Sequence, residues 1–394
     1  MNGSHMRVYL DYNATTPLAP EVVDVVVAAT RDLFGNASSV HHFGQQAKAA
    51  LDDARTAVAT LIGADPSEVV FTSGGTEADN LAIRGAAEAA EPTGRRHLVA
   101  SAIEHEAVLN TLKALARKGW RTTLVPVDQS GIVSPERVRE AIADDTALVS
   151  VMHANNELGT IQPIAEIAAI AHERGALMHT DAVQSAGKLP VDVRALGVDL
   201  LAIASHKLNG PKGAGALWVK RGTRMLPILT GGKHERSRRA GTENVPAIAG
   251  FGTAVRLAAS KLKTEGPRVA SLRDRLESAV LREVPGTAVN GSVEARVPNT
   301  TNISFERVEA ESLLIALDLE GIAVSTGSAC SSGTLEPSHV LRAMGLPAHR
   351  TQNSLRFSLG MFSTEADVDR VVAVLPGLVE KLRGLTQKTR TASR

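Results

Sequence analysis

The stretch Asp199-Leu-Leu-Ala-Ile-Ala-Ser-His-Lys-Leu-Asn-Gly-Pro-Lys-Gly213 starts with an apolar run typical of a buried strand and then reaches Ser205-His206-Lys207. Burial disfavours the charged form of a lysine. A lysine at the end of a core strand is therefore expected to have a lowered pKa or to form a covalent bond, such as a Schiff base to a carbonyl. The alternative is that Lys207 only reaches the surface from a strand end.

Seven short apolar runs, including the one before Lys207, alternate with patterns typical of helices. They lie at residues 69–72, 97–100, 122–125, 148–152, 176–179, 200–203 and 216–219. Short apolar strands that alternate with helices predict an α/β fold, with a mostly parallel seven-stranded sheet sandwiched by helices. Ligands of such sheets bind beyond the carboxyl ends of the strands. Lys207 is therefore expected at the ligand-binding edge.

The chain of 394 residues is long enough for two domains, because a single core stops growing at roughly 250 to 300 residues. Residues 245–283 carry a long helical pattern, which we expect to break at Gly266-Pro267 and to bridge the domains. The remainder has the mixed strands and helices of a smaller α+β domain. We predict a large domain over residues 17–263 and a small domain formed by residues 1–16 and 264–394.

The charge of the chain is balanced, with 43 Lys and Arg against 42 Asp and Glu. No global field therefore draws it to nucleic acid or to a membrane surface, and no run of about 18 apolar residues predicts a membrane span. Residues 1–6 lack the charged and apolar regions of a signal peptide. We expect a cytoplasmic protein with no membrane partner and no direct nucleic-acid partner.

Cys330 is the only cysteine, which excludes an intrachain disulfide and a multi-cysteine metal site within one chain. A single thiol is either a buried, inert residue or a reactive nucleophile. Residues 325–333 are small and polar and include two glycines. This composition favours an exposed loop, and therefore the nucleophile.

Two other strand ends carry groups suited to a phosphorylated ring. A Gly-Gly turn at Gly74 and Gly75 begins a helix. The free backbone N–H groups of this helix and the Thr76 hydroxyl form an anion site, although such a turn is equally an ordinary N-cap. Asp181 ends a buried strand and either caps the next turn or needs a cationic partner. A protonated pyridine nitrogen is such a partner. Asp181 and Lys207 together therefore favour pyridoxal phosphate, with Gln184 placed for the ring hydroxyl.

Three further segments add polar groups. His105 follows another strand and could stack on an aromatic ring or move a proton, or be a structural histidine. Asn155 and Asn156 offer amide donors beyond the strand at 148–152. The basic residues in 236–244 either bind an anion or form a solvated loop.

Taken in order, these features resemble the cysteine desulfurases, which are pyridoxal phosphate enzymes of fold type I in the class V aminotransferase family. The similarity is closest to the type that supplies sulfur for nitrogenase and for iron–sulfur cluster assembly. It covers nearly the whole chain, through residues 9–17, 35–41, 72–80, the segments of His105, Asp181 and Lys207, and residues 239–245, 325–339 and 355–360. The resemblance implies conversion of L-cysteine to L-alanine.

The resemblance also implies catalytic roles for three residues. Lys207 would bind the cofactor covalently and take the α-proton of the substrate. His105 would stack on the ring and donate and accept protons. Cys330 would accept the sulfur as a persulfide.

Binding roles follow from the same matching positions. Arg356 and Asn36 would hold the substrate carboxylate, with Asn156 beside them. Thr242 would reach into the site from the other subunit of a homodimer. The cofactor contacts would be Gly75, Thr76, His105, Asn156, Asp181, Gln184, Ser205, His206, Lys207 and Thr242.

The chain departs from the family pattern at one of these contacts. The family usually carries Ser-x-His-Lys, and this serine helps to bind the phosphate, whereas here the position is Ala204 and the serine is Ser205. A shift of one residue at a strand end turns the side chain to the other face. We expect cofactor binding to persist, weakened by roughly 0.5 to 1.5 kcal/mol, the contribution of one hydrogen bond.

Two alternatives remain open. The first is another enzyme with the same cofactor, such as a selenocysteine lyase or an aminotransferase, although an aminotransferase needs no thiol. The second is a catalytically poor subunit that docks partners and keeps the cofactor as a relic. The sulfur acceptor is expected to be a partner protein such as an iron–sulfur scaffold, and transfer RNA thiolation is another possible destination.

Overall fold

The computed structural model describes residues 7–326 and 337–392, with side chains as far as residue 385. Its strands are numbered along the chain. They are β1 (Val8–Tyr9), β2 (Val69–Thr72), β3 (His97–Ser101), β4 (Arg121–Val125), β5 (Thr146–Ser150), β6 (Leu177–Asp181), β7 (Leu200–Ala204), β8 (Gly215–Val219), β9 (Thr287–Asn290), β10 (Thr300–Phe305), β11 (Ile322–Ala323) and β12 (Ser354–Ser358).

The central sheet has seven strands in the order β2-β8-β7-β6-β5-β3-β4. β8 is antiparallel to both of its neighbours, and the other pairs are parallel. All seven strands overlap the apolar runs found in the sequence. The predicted mostly parallel α/β sheet is therefore confirmed.

Helices cover both faces of this sheet. Numbered along the described residues, the helices of the whole structure are α1 (Pro20–Asp32), α2 (His42–Leu61), α3 (Gly75–Ala90), α4 (Glu106–Ala116), α5 (Pro135–Ala141), α6 (Ile164–Glu173), α7 (Val193–Leu196), α8 (Val245–Glu283), α9 (Ala310–Leu319), α10 (His339–Ala343), α11 (Ala348–Gln352) and α12 (Glu365–Ala392). Along β7, Leu201 and Ile203 lie in one apolar cluster with α2 and α8, while Leu200 and Ala202 lie in another with α3 and α4. Of the helices in residues 7–326 and 337–392, none has the length and hydropathy to cross a bilayer.

The long helix α8 corrects one expectation. It runs without interruption from Val245 to Glu283, with Pro267 inside it, whereas the sequence predicted a break at Gly266-Pro267. Proline removes one helical hydrogen bond and costs about 3 kcal/mol in a helix interior. The helix persists because Phe251 and Val255 are buried in the core beside the large sheet, while Leu272 and Leu276 are buried in a second core.

The second core lies among the small-sheet elements. β12, β10 and β9 form an antiparallel sheet, and β1 pairs with β11 in parallel. The buried residues here come from Val8 and Leu10 and from the stretch between residues 269 and 379. Val340 and Leu341 of α10 are an exception, because they pack into the core beside the large sheet.

The start of α3 is held by a close approach of two backbones. A Cβ atom at Gly215 of β8 would lie 2.6 Å from the Cα of Gly74, which directly precedes α3. Real Cβ atoms do not approach backbone atoms so closely, and neither backbone segment can move alone because Gly215 pairs with both Thr72 and Ala204.

We predict that Gly215→Ala lowers the free energy of unfolding by about 1 to 3 kcal/mol, because overpacking here forces backbone shifts. The matched control is Gly377→Ala in α12, where a Cβ atom would meet nothing within 4 Å and should stabilise the helix by up to about 1 kcal/mol. Urea unfolding of both variants measures the difference. Equal midpoints for the two variants would contradict the prediction.

Candidate active site

The carboxyl ends of the parallel strands meet at one edge of the central sheet, and most of the predicted site residues follow them. Gly75 and Thr76 follow β2, His105 follows β3, Asn156 follows β5, Asp181 and Gln184 lie at and after the end of β6, and Ser205, His206 and Lys207 follow β7. The structure therefore brings together the residues that the sequence placed at strand ends.

Lys207 lies in a single turn of 3-10 helix, Ser205–Lys207, that directly follows β7. Its Nζ donates hydrogen bonds to the carbonyl oxygens of Ala14, at 2.7 Å, and Asn13. The lysine is half-buried. The N-terminal segment therefore crosses the lysine and supplies acceptors for its amine.

Asp181 is buried at the end of β6. Its Oδ1 accepts a hydrogen bond from the backbone N–H of Val183 at 2.8 Å. Burial raises the pKa of this carboxyl, and the nearby His105 and Lys207 act in the opposite direction. A cation beside Asp181 would therefore stabilise its ionised form.

His105 is the N-cap residue of α4. Its Nδ1 accepts a hydrogen bond from the backbone N–H of Ala107 at 3.1 Å, so the proton of the neutral ring lies on Nε2. Burial lowers the pKa of His105 and Asp181 opposes this change. The imidazole is therefore neutral near pH 7, with Nε2 as its donor.

The turn before α3 has the features of an anion site. Gly74 is the N-cap residue and has no side chain to occupy the first N–H groups of the helix. A Cβ atom on Gly75 would lie 2.9 Å from Val183 Cγ2 and 3.6 Å from Ala204 Cβ. Ala204 therefore faces this turn, at the position where the related family usually has serine.

The placement of Ser205 differs from its predicted role in cofactor binding. Its hydroxyl is fully buried and has no hydrogen-bond partner in the described part of the chain. A Cβ atom on Gly210 would lie 2.2 Å from Ser205 Oγ. The alternation of side chains at the strand end turns Ser205 towards Gly210, so its hydroxyl is not presented to a ligand at Gly75.

His206 is fixed by the same N-terminal segment. Its Nδ1 lies 3.2 Å from Thr15 Oγ1, and its carbonyl accepts hydrogen bonds from the N–H and Oγ1 of Thr16. Burial lowers the pKa of His206 to about 4, and Lys207 and Lys212 act in the same direction. His206 is therefore a neutral hydrogen-bonding group at neutral pH.

The edge of the central sheet meets the small antiparallel sheet at a junction. Arg356 of β12 is buried on the small-sheet side of this junction. Its Nη1 donates to the carbonyl oxygen of Asn156 at 3.0 Å, and its Nη2 donates to Asp11 Oδ1 at 2.6 Å. Arg356 thus contacts the main chain of Asn156, and the side chain of Asn156 remains available for other contacts.

Two predicted residues have no hydrogen bond to the groups at this edge in the described part of the chain. Asn36 and Thr242 are both exposed, and Asn36 Oδ1 accepts a hydrogen bond from the backbone N–H of Ser38 at 2.9 Å. Cys330 lies outside the described residues.

Sequence reasoning missed the residue with the most contacts in the site, Asn13. Its backbone oxygen accepts hydrogen bonds from Lys207 and Gln184, its Oδ1 accepts from Lys188, and its Nδ2 donates to the carbonyl of Asn156. The only signal for it was its place in the family motif at residues 9–17. An asparagine between Tyr12 and Ala14 carries no pattern that indicates a buried junction.

Lys188 was also missed. Its Nζ donates to Gln184 Oε1 at 2.9 Å as well as to Asn13. Burial lowers its pKa to about 7, and the charges of Lys207 and Arg356 add to this effect. Lys188 and Lys207 line the same partly open pocket. A second lysine amine therefore lies close to Lys207.

A buried acidic cluster lies beneath Asp181. Asp79 Oδ1 of α3 lies 3.5 Å from His179 Nε2, and His179 Nδ1 lies 2.8 Å from Ser150 Oγ. Burial raises the pKa of Asp79 well above its ordinary value and lowers that of His179 to about 3. His179 is therefore a neutral imidazole at neutral pH, beside a carboxyl group whose ionisation is disfavoured by burial.

Glu104 belongs to the same cluster, one residue before His105. Its Oε1 accepts hydrogen bonds from Ser101 Oγ and, at 2.9 Å, from the backbone N–H of Met152. Burial raises the pKa of Glu104 to about 8, and Asp181 adds to the rise. Glu104 therefore holds a proton at neutral pH.

These residues fit pyridoxal phosphate. The uncapped start of α3 suits its phosphate, the buried carboxyl of Asp181 suits a protonated ring nitrogen, and Lys207 offers an amine at the edge between them. His105 lies at the same edge, close enough to Asp181 and Lys207 for each to affect its pKa.

Comparison with known proteins agrees with this arrangement. Residues 8–371 match the family described as Aminotransferase class-V. The chain is 50% identical to the cysteine desulfurase of Trichormus azollae, over 96% of this chain and 94% of that protein. It is 48% identical to the cysteine desulfurase IscS of Methanosarcina thermophila, over 97% of this chain and 94% of that protein.

Solved structures give the same result. A NifS-like protein has a TM-score of 0.88 at 36% identity, covering 97% of this chain and all of that one. SspA in complex with cysteine has a TM-score of 0.80 at 35% identity, covering 91% of this chain and all of that one.

The chain therefore belongs to the class-V aminotransferase family, whose fold type I architecture it shares. Within that family it belongs with the cysteine desulfurases, which are enzymes dependent on pyridoxal phosphate. The predicted family, enzyme class and cofactor are confirmed, and the aminotransferase and selenocysteine lyase alternatives are not favoured.

Glu104 gives a test of the buried cluster. Its folded pKa is raised from 4.5 to about 8, so between these values the folded protein binds a proton that the unfolded chain releases. The stability that this group contributes is therefore lost as the pH rises through this window. We predict that Glu104→Gln matches the wild type at about pH 4 and is more stable by about 1 to 4 kcal/mol at about pH 9.

Denaturant unfolding at both pH values measures this difference. Glu140→Gln, which removes an exposed carboxylate in α5, is the control and should follow the wild type at each pH. A Glu104→Gln variant whose stability relative to the wild type does not depend on pH would contradict the raised pKa.

Proposed function

We propose that this enzyme removes sulfur from L-cysteine, transfers it to Cys330 as a persulfide and releases L-alanine. The observation that carries the proposal is the convergence of Lys207, Asp181 and His105 at one sheet edge, with a buried arginine on β12 across the junction. The similar protein SspA, solved in complex with cysteine, supports the choice of substrate.

Each residue has a defined task in this reaction. Lys207 holds the cofactor and afterwards accepts the α-proton of the substrate. Arg356 binds the substrate carboxylate with N–H groups of its guanidinium, beside Asn156 and Asn36. Bound beside Asp181, pyridoxal phosphate supplies an electron sink for the negative charge that develops at the α-carbon.

Sulfur transfer uses the remaining groups. The thiolate of Cys330 attacks the substrate sulfur, the carbon–sulfur bond breaks, and its electron pair stays with the carbon chain. His105, with its proton on Nε2, serves as the donor that returns a proton towards alanine. Gly75, Thr76 and His206 bind the phosphate, and Gln184 contacts the polar edge of the ring.

The proposal includes a homodimer in which Thr242 contributes to the partner subunit's site. Thr242 is exposed on the loop before α8. An apolar surface near Asn36 supports this assembly, because Phe34, Val40 and Phe43 are exposed and the rings of Phe34 and Phe43 lie 5.0 Å apart. Exposed apolar groups of this kind are candidates for protein–protein contacts.

We further propose a cytoplasmic enzyme that passes its persulfide to an acceptor protein such as an iron–sulfur scaffold. The names of its relatives, which include IscS, support this destination. The large domain, residues 17–263, would carry the cofactor, and the small domain, residues 1–16 and 264–394, would carry Cys330.

We predict that the wild type releases one alanine for each sulfide in the presence of a thiol acceptor, and that Cys330→Ser loses sulfide release while keeping the visible colour of the bound cofactor. Lys207→Ala is the matched control and should lose the colour. Alanine and sulfide are measured together. Full sulfide release by Cys330→Ser would show that this thiol is not the sulfur carrier.

A second prediction concerns the serine shift. Ala204→Ser places a hydroxyl opposite Gly75 and should strengthen cofactor binding by about 0.5 to 1.5 kcal/mol. Ser205→Ala removes a hydroxyl that faces Gly210 and should leave cofactor affinity unchanged. Reconstitution titrations of the apoenzyme measure both affinities. Loss of affinity in Ser205→Ala would restore Ser205 as a phosphate contact.

A further inference from the structure

The guanidinium of Arg356 already has an anionic partner in this structure. Its Nη2 donates to Asp11 Oδ1 at 2.6 Å, and its Nη1 donates to the carbonyl of Asn156. Its Nε has no partner in the described part of the chain. The guanidinium is almost fully buried and the carboxylate largely so, with 3% and 18% of the side chains exposed.

Asp11 is fixed in this position by its backbone. It forms a parallel bridge with Ser358 of β12, the strand that also carries Arg356. On either side, the N–H of Tyr12 donates to the carbonyl of Ser358 at 3.1 Å, and the N–H of Ser358 donates to the carbonyl of Leu10 at 2.8 Å. The backbone of Asp11 is therefore fixed beside the strand that carries Arg356, which keeps the carboxylate within reach of the guanidinium.

We propose that Asp11 is a positioning residue that orients Arg356 and shares its positive charge, so that a substrate carboxylate binds as the second anion on one guanidinium. This inference rests on the proposed role of Arg356. Asp11 thereby limits the affinity of the site for amino-acid carboxylates, including that of the product alanine.

The physical reason is the balance of charge. A guanidinium has five N–H donors but a single charge. Two carboxylates on it repel each other, and at a separation of about 6 Å and an effective dielectric constant between 20 and 80 this repulsion corresponds to about threefold or more in affinity. Limited affinity lets alanine leave the site after each turnover.

The test uses the enzyme loaded with pyridoxal phosphate and two ligands that differ only in the carboxylate, L-alanine and ethylamine. Binding of each is followed by the change in the visible spectrum of the cofactor. In Asp11→Asn, we expect the dissociation constant of alanine to fall about three- to tenfold and that of ethylamine to stay unchanged. Asp11→Ser also removes the charge and should shift alanine binding in the same direction.

Glu277→Gln is the control variant. Glu277 forms a buried pair with Arg296 and also accepts a hydrogen bond from Thr301 Oγ1, so neither ligand should change its affinity in this variant. Unchanged or weaker alanine binding in both Asp11 variants, at unfolding midpoints near the wild type, would overturn the proposal. Equal changes for alanine and ethylamine would also overturn it, because they would indicate a general distortion.

A separate variant distinguishes this inference from the proposed function. Arg356→Lys should weaken alanine binding and leave ethylamine binding unchanged. If Arg356→Lys binds alanine like the wild type, the carboxylate site proposed for Arg356 is wrong. If it weakens alanine binding and the Asp11 variants do not strengthen it, only the role of Asp11 is wrong.

Discussion

The structure of the site depends on the crossing of the N-terminal segment over the end of β7. Lys207 donates to the carbonyl oxygens of Asn13 and Ala14, while the carbonyl of His206 accepts from Thr16. In the return direction, the side-chain amide of Asn209 donates to the carbonyl of Pro17 at 2.8 Å. These contacts join two segments almost 200 residues apart, so the position of the lysine is set by long-range pairing as well as by its own strand.

Asn13 extends this crossing to the small sheet. Its backbone N–H donates to Ser358 Oγ and its Nδ2 donates to Thr300 Oγ1, on β12 and β10 respectively. A buried asparagine offers two donors and two acceptors through its side chain alone. The same residue therefore ties the lysine at the edge of the large sheet to the strand that carries the arginine, and a movement of one sheet against the other would disturb both.

The sequence predicted the central sheet well because each of its strands is a short apolar run that ends in polar residues. That pattern also located Lys207, Asp181 and His105, since parallel strands place their carboxyl ends at one edge. It failed at Pro267, because a local rule for proline does not include the two cores that hold the helix. It also missed Glu104 and Lys188, whose importance comes from burial and from contacts distant in the sequence.

Burial shifts the pKa values of several ionisable groups around the site, and these shifts reduce the charge near Asp181 and Lys207. Glu104 holds a proton at neutral pH because burial raises its pKa to about 8, and burial also disfavours the ionised form of Asp79 by raising its pKa. Fewer negative charges therefore compete with Asp181 for a cation. On the other side of the junction, burial lowers the pKa of Lys188 to about 7, which limits the repulsion between this amine and Lys207.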